Sequence, residues 1–179
     1  MRQALKLHPD STCDAVTSIE VEVARPRPGQ LVLHYVVSGA IGDLRLPPQG
    51  EPARSDELWQ HSCFEAFVGA PPDAGYCEFN FAPSTRWAAY RFDGYRRGMR
   101  DATELKPPRI ETRSADGRYE LRASLDGLAE LPADAPWQLG LSAVIEEANG
   151  RKSYWALAHP PGKADFHHPD SFAHQLPAA

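Results

Sequence analysis

Within twenty residues the chain places His61, Glu65, Tyr76, Glu78 and Asn80, and their spacings of two and four are those of side chains sharing one face of extended strands. In His61–Val68 a period of two sets His61, Cys63, Glu65 and Phe67 against Phe64, Ala66 and Val68. In Tyr76–Phe81 the same period sets Tyr76, Glu78 and Asn80 against Cys77, Phe79 and Phe81. If the two segments pair as a hairpin across Gly69–Gly75, their acids, amide and imidazole gather on one sheet face. Acids and amides pair with the donors and acceptors of sugar hydroxyls, and an aromatic ring packs on the C–H face of a pyranose. Trp59, Trp87, Tyr95 and Trp155 are the candidate rings. The bland alternative is the polar outer face that any antiparallel sandwich turns to water.

Other chemistries are less well served. Glu65 and Glu78 form a carboxylate pair that would suit glycoside hydrolysis if held roughly 5–9.5 Å apart, which makes an enzyme acting on a small carbohydrate the alternative function. His61 beside Ser62 and Cys63 lacks the third group and the geometry of a nucleophile–base pair, so no catalytic residue is assigned. Trp155, His159, Lys163, Asp165, His167 and His168 form a second dense cluster. The neighbouring histidines of a strand point to opposite faces, and the spacing matches no metal signature, so the cluster reads as a hydrogen-bonded loop with no metal. Tyr95, Arg96 and Arg97 follow an Asp93-Gly94 turn, where an arginine can hold an anionic substituent of a ligand.

The elements that must position these residues are strands. Proline and glycine punctuate the chain at short intervals, and eight segments between them are rich in β-branched and aromatic residues or alternate with a period near two: 19–24, 30–39, 61–69, 76–82, 87–93, 119–124, 138–147 and 153–158. Asp116-Gly117 and Asn149-Gly150 carry the chemistry of tight hairpin turns. The stretch Ser124–Leu131 has room for a helical turn, and both ends of the chain read as irregular. Many short strands without a βαβ rhythm predict an all-β fold, an antiparallel two-sheet β-sandwich of jelly-roll or immunoglobulin-like type. Trp137, after a proline-rich stretch, is expected to plug an edge of the sandwich.

Composition narrows the function classes. A length of 179 residues fits one domain, 1–179. The net charge of -5 argues against a nucleic-acid partner. No apolar run is long enough for a signal peptide or a membrane span, which predicts a cytoplasmic protein without a membrane partner. Cys13, Cys63 and Cys77 form no CxxC and read as free thiols.

The blocks Glu57–Val68, Tyr76–Ser84 and Trp87–Phe92, followed by Leu139–Glu146, Ser153–Pro160 and Gly162–His168, resemble the bacterial DOMON-like proteins. These are distantly similar to family 9 carbohydrate-binding modules and to the haem- or sugar-binding DOMON domains. The resemblance covers most of the chain from about Glu57 onward, and it implies a β-sandwich that binds a small ligand, a sugar above all, without catalysis or a cofactor. It also implies a sugar held between tryptophans with acids and amides on its hydroxyls, and Trp59 and Glu65 fall in the segment resembling the modules' W…E strand. The expected site is Trp59, His61, Glu65, Glu78, Asn80, Tyr95, Arg96 and Trp155. By analogy with the DOMON cytochromes, haem ligated through Met99 or a histidine is a further alternative, beside a protein-interaction module.

Overall fold

Regular alternation builds the first sheet. In the computed structural model, which describes residues 1–69, 75–129 and 131–178, β2 (Val16–Ala24), β3 (Gln30–Gly39) and β9 (Arg118–Asp126) bury alternate residues. Ile19, Val21 and Val23, then Leu31, Leu33, Tyr35 and Val37, then Tyr119, Leu121, Ala123 and Leu125 all face one core. β1 (Arg2–Leu7) and β8 (Arg109–Ala115) complete the order β8-β9-β3-β2-β1. Asp116-Gly117 closes the β8–β9 hairpin between the paired residues Ala115 and Arg118, with Gly117 at φ 68° as its turn requires.

The second sheet runs β7-β6-β5-β4-β10-β11 and consists of β4 (Cys63–Gly69), β5 (Tyr76–Phe81), β6 (Trp87–Phe92), β7 (Arg100–Asp101), β10 (Trp137–Glu146) and β11 (Lys152–Ala156). A short β12 (His174–Leu176) adds to the start of β10. β1 pairs with β2 along Arg2–Leu5 and with β11 at Lys6 and Leu7, so one antiparallel sheet curls over and packs upon itself. The result is an all-β antiparallel β-sandwich. Its halves meet where Tyr35 donates its hydroxyl to the Glu65 carbonyl at 2.7 Å and packs its ring against Phe64, which also stacks on Tyr119.

Four strands were not expected from the sequence. β1, β7, β8 and β12 are short or lie at edges and carry little apolar periodicity, so their pairing partners rather than their own residues make them strands. The stretch with room for a helical turn begins as strand, β9 continuing through Asp126, and ends in a turn where the Leu131 amide donates to the Leu128 carbonyl at 3.2 Å; Glu130 of that stretch and residues 70–74 of the β4–β5 connection lie outside the described residues. Trp137 is fully buried in the main core rather than at an edge, with its indole donating to the Pro132 carbonyl at 2.9 Å.

β4 departs from the pattern of the first sheet, since all seven of its residues are buried. Phe64, Ala66 and Val68 face the sandwich core, as the period of two predicts. The other face is covered as well, by the segment that follows β11. That cover is what makes a site out of a sheet face.

Candidate functional site

The covered face is a concave surface of β10, β4, β5 and β6. The β4–β5 hairpin forms as expected and pairs Glu65 with Asn80, Phe67 with Glu78 and Gly69 with Tyr76. Gly75 sits at φ 74°, and a side chain there would run into the Phe92 carbonyl oxygen, so this turn position admits only glycine. β10 sets Ser142 opposite Glu65 on the other side, and β6 sets Tyr90 opposite Glu78. Ser142, Glu65 and Asn80 therefore stand in a row across three adjacent strands.

Residues 157–173 strap this face. His167 lies edge-on to Phe67 and Phe92 with ring centroids 5.0 Å from each, and Phe172 packs on Phe67 and Tyr76. Tyr76 in turn stacks on Phe92 at 4.8 Å. Polar contacts pin the strap at both ends. His159 meets the Lys6 carbonyl at 2.8 Å and His8 meets the Gly162 carbonyl at 3.0 Å. Asp165 accepts from Arg96 Nη2 at 2.8 Å and from the Tyr95 hydroxyl. Against the cost of burial, those hydrogen bonds from Tyr95 and Arg96 hold Asp165 below the usual carboxylate range.

Between strap and sheet a cleft of about 960 Å³ opens, a size usual for small-molecule sites. Glu65 and Glu78 reach it from below, with Tyr90, Phe92, Tyr154 and Phe166 on its walls. Trp59, in a 3-10 turn over Leu58–Gln60, stands at its rim with 53% of its surface exposed. Arg96 and Met99 border it on the other side.

The floor is electrostatically unusual. Glu65 is only 3% exposed; its Oε1 and the buried Asn80 Oδ1 make no hydrogen bond of normal geometry among the described residues, and the buried Ser142 hydroxyl interacts with the Glu65 carboxyl. Burial, reinforced by the charge of Glu78, pushes the Glu65 carboxyl well above its usual range. Glu78 accepts from Asn80 Nδ2 at 2.8 Å and lies 3.6 Å from His167 Nε2. Burial raises its pKa to about 7. Burial likewise lowers His167, to about 4, and its Nδ1 bonds the Tyr76 hydroxyl at 2.8 Å. The polar face is thus desolvated, and the expectation of an ordinary water-facing sandwich surface fails at Glu65, Glu78 and Asn80.

The expected site residues divide. Trp59, Glu65, Glu78 and Arg96 line the cleft, and Asn80 lies beside them in the floor. His61 does not reach it: the imidazole is largely exposed and bonds Glu146 at 2.7 Å, alongside Arg45. Tyr95 stays outside too, half-exposed with its hydroxyl on Asp165 and its ring against His168. Trp155 is corrected outright. It pairs with Ala143 on the core face of β11, is 5% exposed, and gives its indole N–H to Ser153 Oγ; the preceding residue Tyr154 takes the cleft position.

Tyr90 and Phe92 were missed, although period two along Trp87–Phe92 places them on one face. Phe166 and His167 come from the segment read as a loop cluster. The histidines of that cluster separate, with His168 accepting from the Asp170 amide as the N-cap of a short turn. Among the described residues no three His, Cys, Asp or Glu side chains converge to hold a metal ion.

No family model matches the sequence, and no curated protein does. Solved structures do match. A protein of Bacteroides uniformis assigned as carbohydrate-binding superposes with a TM-score of 0.66 at 16% identity, over 95% of this chain and 83% of that one. A family 9 carbohydrate-binding module of Caldicellulosiruptor kristjanssonii, solved with glucose, gives 0.61 at 9% identity over 95% and 80%. The same kind of module from that organism, solved with cellotriose, gives 0.61 at 10% identity over 90% and 74%. The fold is that of a family 9 carbohydrate-binding module. At these identities the likeness speaks for architecture, and the cleft residues must speak for the ligand.

Proposed function

We propose that this chain is a non-catalytic binding domain of the DOMON-like kind, which holds a small sugar or sugar-like metabolite in the cleft between β4, β5 and the 157–173 strap. One observation carries the reading: an exposed tryptophan, Trp59, shares the cleft with a buried polar floor whose Glu65 Oε1 and Asn80 Oδ1 make no hydrogen bond of normal geometry among the described residues. Burying such groups unpaired costs on the order of 1–3 kcal/mol each, a cost that a ligand's hydroxyls would remove. The aromatic walls supply the apolar contact that a pyranose ring needs. The likeness to modules solved with glucose and cellotriose supports the same choice. Thermal-shift and calorimetric titration with glucose, galactose, mannose, cellobiose and cellotriose test it. A sugar-dependent rise in melting temperature that Trp59→Ala abolishes is expected, and no response to any sugar would refute the reading.

A second reading is favoured by the raised carboxyls of Glu65 and Glu78, because glycoside hydrolysis uses one protonated and one ionised carboxyl group. In that reading Glu65 donates the proton and Glu78 acts as the base. Nitrophenyl glycosides of the sugars that bind distinguish the two functions. Turnover lost in both Glu65→Gln and Glu78→Gln would make the chain an enzyme, whereas binding without turnover leaves it a binding domain.

A further inference from the structure

The cleft floor is a row of buried polar groups without a cation. Ser142, Glu65 and Asn80 stand in register on β10, β4 and β5, strands about 4.8 Å apart. Glu65 Oε1 and Asn80 Oδ1 are buried and make no hydrogen bond of normal geometry among the described residues, and Ser142 Oγ, also buried, has only the Glu65 carboxyl to interact with. One N–H of the Asn80 amide is already given to Glu78 Oε1. Arg96, a cation on the cleft wall, directs its guanidinium to Asp165. His167, close to Glu78, is held neutral by its burial. On the wall as a whole, acidic residues outnumber the cations Arg96, Lys152 and Lys163.

A hydroxyl offers such a floor one donor and brings acceptors of its own. A primary ammonium offers three donors, no acceptor and a charge that favours ionisation of the Glu65 carboxyl, which burial beside Glu78 opposes. We propose that the cleft takes a ligand bearing a primary ammonium group, an aminohexose, with the ammonium seated on Glu65, Asn80 and Ser142 and the sugar ring against Trp59. The inference rests on the sugar-site reading and narrows it to one class of sugar. N-Acetylation would replace the ammonium with a single N–H and a carbonyl acceptor, which the floor cannot serve.

The test is calorimetric titration of the full chain at neutral pH with glucosamine, galactosamine and mannosamine, each against its parent hexose and its N-acetyl form, and with ethanolamine as a sugar-free amine. At least one aminohexose should bind roughly 10- to 100-fold more tightly than its parent and its N-acetyl form, as a charged hydrogen-bond set implies. Glu65→Gln, which keeps shape and removes charge, should reduce that preference to within about threefold. Equal or weaker binding of all three aminohexoses relative to their parents overturns the proposal while leaving the sugar site standing. Binding of ethanolamine as tight as that of any aminohexose overturns the sugar reading but not the ammonium seat. No binding by any probe overturns both.

Discussion

Asn80 donates from its side-chain amide to Glu78 at 2.8 Å, and its own carbonyl oxygen stays buried, without a hydrogen-bond partner among the described residues, across from Glu65 on β4. The hydrogen bond fixes which way the Asn80 amide points, so that its carbonyl oxygen is turned away from Glu78. Folding alone does not favour this arrangement, because every unpaired acceptor counts against the folded state.

Trp59 is expected to carry much of the ligand affinity. It is the most exposed of the four tryptophans and stands at the cleft rim, on a turn entered through Glu57 in left-handed conformation at φ 59°. Trp59→Ala should weaken sugar binding by about 2 kcal/mol, roughly 30-fold, while moving the melting temperature of the free protein by less than about 2 °C. Calorimetry and a thermal melt read the two effects separately.

Glu78 and His167 hold one proton between them. In the folded protein Glu78 keeps its proton up to about pH 7 and His167 stays neutral down to about pH 4. Between about pH 4.5 and 6.5 the unfolded chain also holds one proton on this pair, on the histidine, so folding takes up none and their pH effects cancel. Glu78→Gln leaves His167 alone, whose depressed pKa then makes stability fall as pH drops from 6.5 toward 4. His167→Gln leaves Glu78 alone, whose raised pKa makes stability fall as pH rises from 4.5 to 7. Denaturation curves at pH 5 and 8 should give the two variants slopes of opposite sign relative to the parent.

Arg25 should be a strong stabilising residue although its hydrogen bonds go to backbone carbonyls, with Asp134 acting on it only through charge. Its guanidinium donates to the carbonyls of Pro132, Ala133, Ala135 and Pro177 and stacks over Trp137 at 3.7 Å. Arg25→Met keeps the stem and orphans these carbonyls, at a cost of about 2–3 kcal/mol, or roughly 5–10 °C in melting temperature for a chain of this size. Arg25→Lys should recover less than half of the loss, since an ammonium cannot reach four carbonyls in one plane.

Asp165 ties the strap to the cleft rim through Arg96 and Tyr95, and it also accepts from the His167 amide at 3.2 Å. Asp165→Asn should speed hydrogen exchange along residues 163–171 and weaken ligand binding by about 1 kcal/mol, with the first sheet unaffected. Uniform acceleration across both sheets would instead mark a general loss of stability.

Alternation was enough to place β4 and β5 and to put Glu65, Glu78 and Asn80 on one face with Phe64 and Phe79 on the other, once the two strands pair as the hairpin that the structure shows. It failed for Trp155, where Tyr and Trp are adjacent and either can face a cleft; the shared parity of Trp155 with the buried Leu157 was the available signal. It could not reveal the strap, because His167 meets Tyr76 across 91 residues and no local pattern records that contact. The same distance hid the burial of the face, and with it the raised carboxyls. His61 was misplaced for a related reason, since its partner Glu146 lies 85 residues away.

The most direct test follows the four indole N–H signals by NMR while sugars are added. Trp87, Trp137 and Trp155 are buried in the core, and Trp59 alone stands at the cleft. Addition of a binding sugar should move the Trp59 signal and the amides of β4 and β5 while leaving the other three indoles in place. A sugar that binds without moving Trp59, or that moves all four indoles together, would contradict the cleft as the site.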